Sequence, residues 1–103
     1  EEFYNCWHEG KNTRLIQVPA RRLDSILREA GVKQIDFWSL DVEGSEFEAL
    51  QTMDWSIPVK LICIEKQIGD KKELCDSILL ANGFKKSENF EHNEIWVSHH
   101  FRM

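Results

Sequence analysis

Asp41 and Glu43 stand one residue apart at the end of an apolar run, in the stretch Ile35-Asp36-Phe37-Trp38-Ser39-Leu40-Asp41-Val42-Glu43-Gly44-Ser45-Glu46-Phe47-Glu48. Two acids in that place suit hydrogen bonding to a polar ligand, proton transfer or coordination of a metal ion. Glu65 closes the next apolar run in the same way. If the two runs are adjacent parallel strands, all three carboxylates share the crevice outside the strand ends, where α/β sheets keep their ligands. Gly44 provides a backbone conformation or a close approach that a side chain would obstruct. Glu46 and Glu48 have a structural explanation, because the helix dipole favours acids in a first turn. Asp36 begins its run and so belongs at the opposite edge, with a structural role.

Other chemistries find less support. His8, His92, His99 and His100 lack the i, i+4 spacing of a helical metal site. Adjacent His99 and His100 point to opposite faces of any strand they continue. His92, in a loop, is read as a surface residue within reach of the ligand rim. Cys6, Cys63 and Cys75 form no Cys-x-x-Cys pair, which argues against structural zinc and a thioredoxin-like motif. Cys63, inside an apolar run, reads as a small core residue. No Gly-x-Ser-x-Gly elbow occurs. Trp38, Trp55 and Trp96 fall in or beside predicted elements and are assigned to the core.

The elements that must position the acids alternate. Residues 1–14 show no clear period, with Phe3, Tyr4 and Trp7 scattered among polar residues. Leu15–Val18 reads as a short strand stopped by Pro19. Leu23, Ile26, Leu27 and Ala30 have one-sided helical spacing, and Gly31 supplies a left-handed cap, which predicts a helix over about residues 22–30. Ile35–Val42 is a buried strand. Ser45-x-x-Glu48 is a capping box opening a helix whose apolar face is Phe47, Leu50 and Met53. Val59–Ile64 is the next strand, ending at Glu65, and residues 35–65 make a βαβ unit of the usual length of about 30 residues. A second box, Asp70-x-x-Glu73, opens a helix with Leu74, Ile78 and Ala81 on one face, closed by Asn82-Gly83. Phe84–Glu88 and Glu94–Ser98 form a terminal antiparallel hairpin around a polar loop containing Asn89 and Asn93. The order β-α-β-α-β-α-β-β predicts an α/β sandwich on a mainly parallel sheet with a C-terminal antiparallel hairpin.

Composition narrows the partners. The 103 residues suit one domain or part of one, and 42% hydrophobic with 30% charged residues can bury a core. Thirteen basic against 18 acidic residues leave a net charge of −5, with no basic stripe for a nucleic-acid backbone. Arg21-Arg22, Lys71-Lys72 and Lys85-Lys86 are dispersed pairs suited to solvated faces. No apolar stretch approaches the roughly 20 residues needed to span a bilayer. No signal-peptide pattern is present.

The stretch from Ile35 through Leu50, with its Asp-Val-Glu-Gly-x-Glu core at 41–46, resembles the signature of FkbM-type S-adenosylmethionine-dependent methyltransferase domains. Leu23-Asp24-Ser25-Ile26-Leu27 is similar to the family's leucine-rich helix. Leu61-Ile62-Cys63-Ile64-Glu65 resembles its next strand, Asn82-Gly83-Phe84 its helix exit, and Glu94-Ile95-Trp96-Val97 its closing strand. The resemblance covers residues 15–98. Ser39, where bacterial members often carry lysine, is similar to eukaryotic branches that include the Star-like proteins. The resemblance implies a class I methyltransferase (Rossmann-like) fold, a seven-stranded sheet with one antiparallel strand. It also implies S-adenosylmethionine as cofactor, bound mainly by a glycine-rich loop and a strand-end acid. Gly10 stands alone and neither feature occurs here. Residues 1–103, starting at Glu1 rather than Met, are therefore expected to be the C-terminal portion of such a domain.

By the same resemblance, Asp41 and Gly44 lie at the cofactor, with Asp41 near its methionine end or the acceptor. Glu43 and Glu65 join Asp41 as catalytic residues by positioning or deprotonating a small-molecule or glycan-like hydroxyl acceptor. The implied activity is O-methyl transfer by an incomplete catalytic domain, inactive by itself and binding the cofactor weakly or not at all. Two alternatives stay open. One is a non-catalytic interaction or trafficking module that keeps the fold. The other is an acid-lined site at Asp41, Glu43 and Glu65 for magnesium or calcium, which oxygen ligands suit better than zinc.

Overall fold

Three strands running one way, with a fourth reversed and inserted among them, form the main sheet. The computed structural model describes residues 2–7 and 15–100, with side chains from residue 16 onward. Its elements are β1 (Glu2–Trp7), β2 (Leu15–Ala20), α1 (Leu23–Ala30), β3 (Ile35–Leu40), α2 (Glu46–Gln51), β4 (Val59–Glu65), α3 (Asp70–Ala81), β5 (Phe84–Phe90) and β6 (Asn93–Ser98).

The main sheet has the order β3-β4-β6-β5. β3 pairs with β4 in parallel, placing Ser39 opposite Cys63 and Leu40 opposite Ile64. β6 pairs antiparallel with both β4 and β5. The expected parallel pair and terminal hairpin are both present. The sheet is not mainly parallel by its ladders, however, because the reversed β6 lies between β4 and β5 and makes two of the three pairings antiparallel. The one-reversed-strand pattern comes from this insertion.

Alternation sorts the two faces of the sheet. Leu40, Ile62, Ile64, Phe84 and Trp96 form one core cluster with Leu50 and Met53 at α2 and Cys75 and Leu79 of α3. Trp55 bridges Trp38 and Phe84, with ring centroids 6.2 Å and 5.7 Å away. The tryptophans at 38, 55 and 96 are thus core residues, as the sequence predicts. On the opposite face lie Phe37, Leu61, Cys63, Ile95 and Val97. Phe37 there is 57% exposed, at the outer strand of the sheet.

Several expectations change in detail. β2 runs through Pro19 instead of stopping there, and residues 2–7, which show no period, form its antiparallel partner. A two-stranded sheet consists of edges, where proline's missing N–H can go unused. α1 starts at Leu23 and ends as predicted, with Gly31 at φ 72 donating to the carbonyls of Arg28 and Leu27. β3 ends at Leu40, so Asp41 and Val42 belong to the loop. Neither capping box forms: Ser45 and Gly69 are the N-caps of α2 and α3, and neither helix has a side-chain cap bond. The buried stripe of α3 is Cys75 and Leu79, flanked by half-buried Ile78, whereas Leu74 is 45% exposed. Cys75, rather than half-exposed Cys63, is the core thiol; burial pushes it up to about 11, leaving it unreactive. The hairpin is tighter than expected, with Asn89 and Asn93 in its strands and Glu91 turning at φ 55. His8 and Gly10 lie outside the described residues. No helix among the described residues is long and apolar enough to cross a membrane.

Candidate functional site

Parallel pairing of β3 and β4 carries the ends of both strands to one rim. There Asp41, Glu43 and Glu65 each offer a carboxylate oxygen, all within 4.8 Å of one another. Asp41 and Glu43 are exposed and Glu65 is half-buried. Asp36 is at the other end of β3, where Lys60 pairs with it at 3.3 Å. The sequence-based separation of rim acids from Asp36 therefore matches the geometry.

The turn that presents the acids has an unusual backbone. Glu43 has φ 45 and Gly44 has φ 97. A non-glycine residue in the left-handed region is uncommon and carries strain of roughly 1 kcal/mol or more. Only glycine takes a value near 97° easily. The nearest atom to a Cβ built at Gly44 would be Lys71 Nζ, 4.0 Å away. Conformation, more than crowding, requires this glycine.

Glu46 is the residue that sequence reasoning undervalued. It is fully buried, and its carboxylate reaches back into the turn. Oε2 accepts the Val42 N–H and Oε1 accepts the Gly44 N–H, each at 3.0 Å. This arrangement stands where the predicted Ser45/Glu48 box does not form, and Glu48 is exposed. The signal was an acid two residues beyond a glycine, close enough to reach back. Lys71 left no such signal. Its Nζ donates to the Gly44 carbonyl at 2.6 Å from 27 residues away.

Crowding of the acids alters their chemistry. Partial burial, followed by the charges of Asp41, Glu43 and Glu46, holds the Glu65 carboxyl above the usual carboxylate range. A carboxylate with a raised affinity for protons is a better base near neutral pH. Across the hairpin, the His92 carbonyl accepts the Lys66 N–H at 2.8 Å. The backbone of His92 thus adjoins the rim while its side chain is exposed.

Asp41 also lines a cleft of about 830 Å³ between the β2–α1 junction, β3 and α2, together with Arg22, Trp38, Ser39 and Ser45. That volume suits a nucleoside-sized ligand, and the Asp41 carboxylate suits a cationic group on it. Glu43 and Glu65 lie outside the lining. A separate hollow of about 440 Å³ between α2 and α3 is lined largely by apolar residues such as Phe47 and Leu74. The described residues fit S-adenosylmethionine in part. They offer the cleft and Asp41, but their glycines are single residues at a helix cap, in the acidic turn or beside α3 and β5. Three carboxylate oxygens could alternatively hold a hard divalent cation.

A partly parallel α/β sheet with acids on the strand-end rim is the arrangement of an α/β protein that keeps its ligands outside the strand ends. A model of the methyltransferase FkbM domain matches residues 2–99, and the chain belongs to that family. Membership carries a methyltransferase-type function and, in general, the use of S-adenosylmethionine. No curated protein and no solved structure matches the chain.

Proposed function

We propose that this chain serves O-methyl transfer from S-adenosylmethionine to a hydroxyl group of a small-molecule or glycan-like acceptor. The observation carrying this reading is the convergence of Asp41, Glu43 and Glu65 within 4.8 Å beside the cleft that Asp41 lines. Bound S-adenosylmethionine supplies an electrophilic methyl carbon on a sulfonium sulfur. Asp41, which lines the cleft in the turn that Gly44 shapes, would hold that cationic end. Glu43 and Glu65 hold the acceptor hydroxyl, and an ionised carboxylate of the pair takes its proton as oxygen attacks. The new bond is O–C, the broken bond is S–C, and the proton stays on the protein. Such in-line displacement asks mainly for alignment and removal of one proton.

In this reading the described sheet is one part of a larger catalytic unit. Among the described residues β3 has no strand partner on its outer side, and Phe37 beside that edge is exposed. The experiment is labelled methyl transfer to a panel of glycans and polyols by the protein and its Asp41→Asn and Glu43→Gln variants. Turnover unchanged by both substitutions would reject the assignment.

A non-catalytic interaction module is the second reading, favoured by the lack of a glycine-rich cradle among the described residues. Calorimetry with S-adenosylmethionine separates the two. Micromolar binding by these residues supports the enzyme and rejects the expectation that they bind the cofactor weakly or not at all. No binding to the larger catalytic unit, shown to be folded by cooperative melting, supports the module.

A further inference from the structure

The Gly44 peptide is gripped at both of its polar groups. Its N–H goes to the buried Glu46 carboxylate and its C=O receives Lys71 from the first turn of α3. Val42 gives a second N–H to the same carboxylate, and the Ser45 N–H closes the turn on the Val42 carbonyl at 3.2 Å. Glu43 sits inside this grip at φ 45. Left to itself, a turn with three acids gathered at one point would relax, because a left-handed glutamate and clustered like charges both favour another conformation.

We propose that Glu46 and Lys71 are positioning residues that clamp the 41–45 turn from α2 and α3 and thereby keep the Asp41 and Glu43 carboxylates gathered with Glu65. This inference rests on the reading that these three acids are the working groups. Neither clamp residue needs to touch a ligand. Both Glu46 oxygens are engaged by backbone amides. Lys71 makes no ion pair within 4.0 Å among the described residues, so its ammonium serves the carbonyl. A charged donor on a backbone carbonyl is among the stronger hydrogen bonds. It also ties the turn to α3, the helix that follows β4.

The test is NMR relaxation of the 103-residue protein and three variants, Glu46→Gln, Lys71→Met and Lys71→Arg. In the parent, order parameters at Glu43 and Gly44 should match rigid backbone, about 0.85. Glu46→Gln and Lys71→Met should lower them toward the flexible range, below about 0.6, while α2 and α3 keep their values. In Glu46→Gln the amide that loses its charged acceptor should also exchange about tenfold faster. Lys71→Arg restores a donor and should restore rigidity.

A turn as rigid in Lys71→Met as in the parent would overturn the clamp. So would loosening that arginine does not reverse, since that would point to a disturbed α3. Lys71 is exposed, so its variants remain informative if Glu46→Gln fails to fold. Retained methyl transfer in Asp41→Asn and Glu43→Gln would instead remove the functional reading and leave the clamp measurable.

Discussion

Asp41 follows one parallel strand, Glu65 ends its neighbour, and their carboxylate oxygens lie within 4.8 Å of each other. This meeting has a consequence for pH dependence. Glu65 is held above its ordinary value of 4.5, first by desolvation and then by the like charges around it. The folded state therefore keeps this proton more tightly than the unfolded chain. The stability that Glu65 contributes is fully present below about pH 4.5 and is lost as pH rises through its folded pKa. Asp24, Glu29, Asp36 and Asp54 are shifted downward and have the opposite sign, losing their contributions on acidification. Glu65→Gln isolates the one group. Urea unfolding between about pH 4 and about pH 7 should show the variant gaining on the parent as pH rises.

Glu43 gives stability and function opposite signs. Asparagine tolerates the left-handed conformation better than glutamate. Glu43→Asn should leave the melting temperature unchanged or raise it by a few degrees, consistent with a gain of about 0.5 kcal/mol. If Glu43 is a working group, the same variant loses methyl transfer by about tenfold or more. Calorimetric melting and labelled transfer on one preparation check both.

The hairpin has its own buried charge. Glu94 is nearly inaccessible, accepts the Trp96 indole N–H at 3.2 Å, and lies 3.6 Å from Lys86 and 3.9 Å from Lys72. Removing the carboxylate leaves a buried donor without its acceptor. Glu94→Ala should cost about 2 to 4 kcal/mol in denaturant unfolding. Glu94→Gln, which keeps an oxygen for the indole, should cost less.

Two leucines of α3 separate pattern from packing. Leu79 is fully buried and Leu74 is 45% exposed. Leu79→Ala should cost about 2 to 5 kcal/mol, as a large core truncation does. Leu74→Ala should cost less than about 1 kcal/mol. The reverse order in chemical unfolding would put the helix on the sheet by the wrong face.

Local patterns made much of this fold legible. The spacing of Leu23 and Leu27 with Gly31 after them, the apolar runs at 35–40 and 59–64, and the Asn82-Gly83 exit each depend on nearby residues and their backbone preferences. Glu65 was placed with Asp41 because both end apolar runs, and parallel pairing then brings such ends together. β1 was not legible, since its pairing partner is β2 and its own residues show no alternation. The capping boxes misled for a related reason: the Ser45 N–H goes to the Val42 carbonyl instead of to Glu48, and Gly69 rather than Asp70 is the N-cap of α3.

The sequence by itself determined the order of helices and strands from β2 onward and the acidic turn at Asp41-Val42-Glu43-Gly44, because periodicity and glycine act over a few residues. Tertiary structure alone decided the insertion of β6 between β4 and β5, the burial of Glu46 and Glu94, and the reach of Lys71 to the Gly44 carbonyl. Those features join groups far apart in the chain, and no local preference records which distant partner will complete a hydrogen bond or exclude water from a charge.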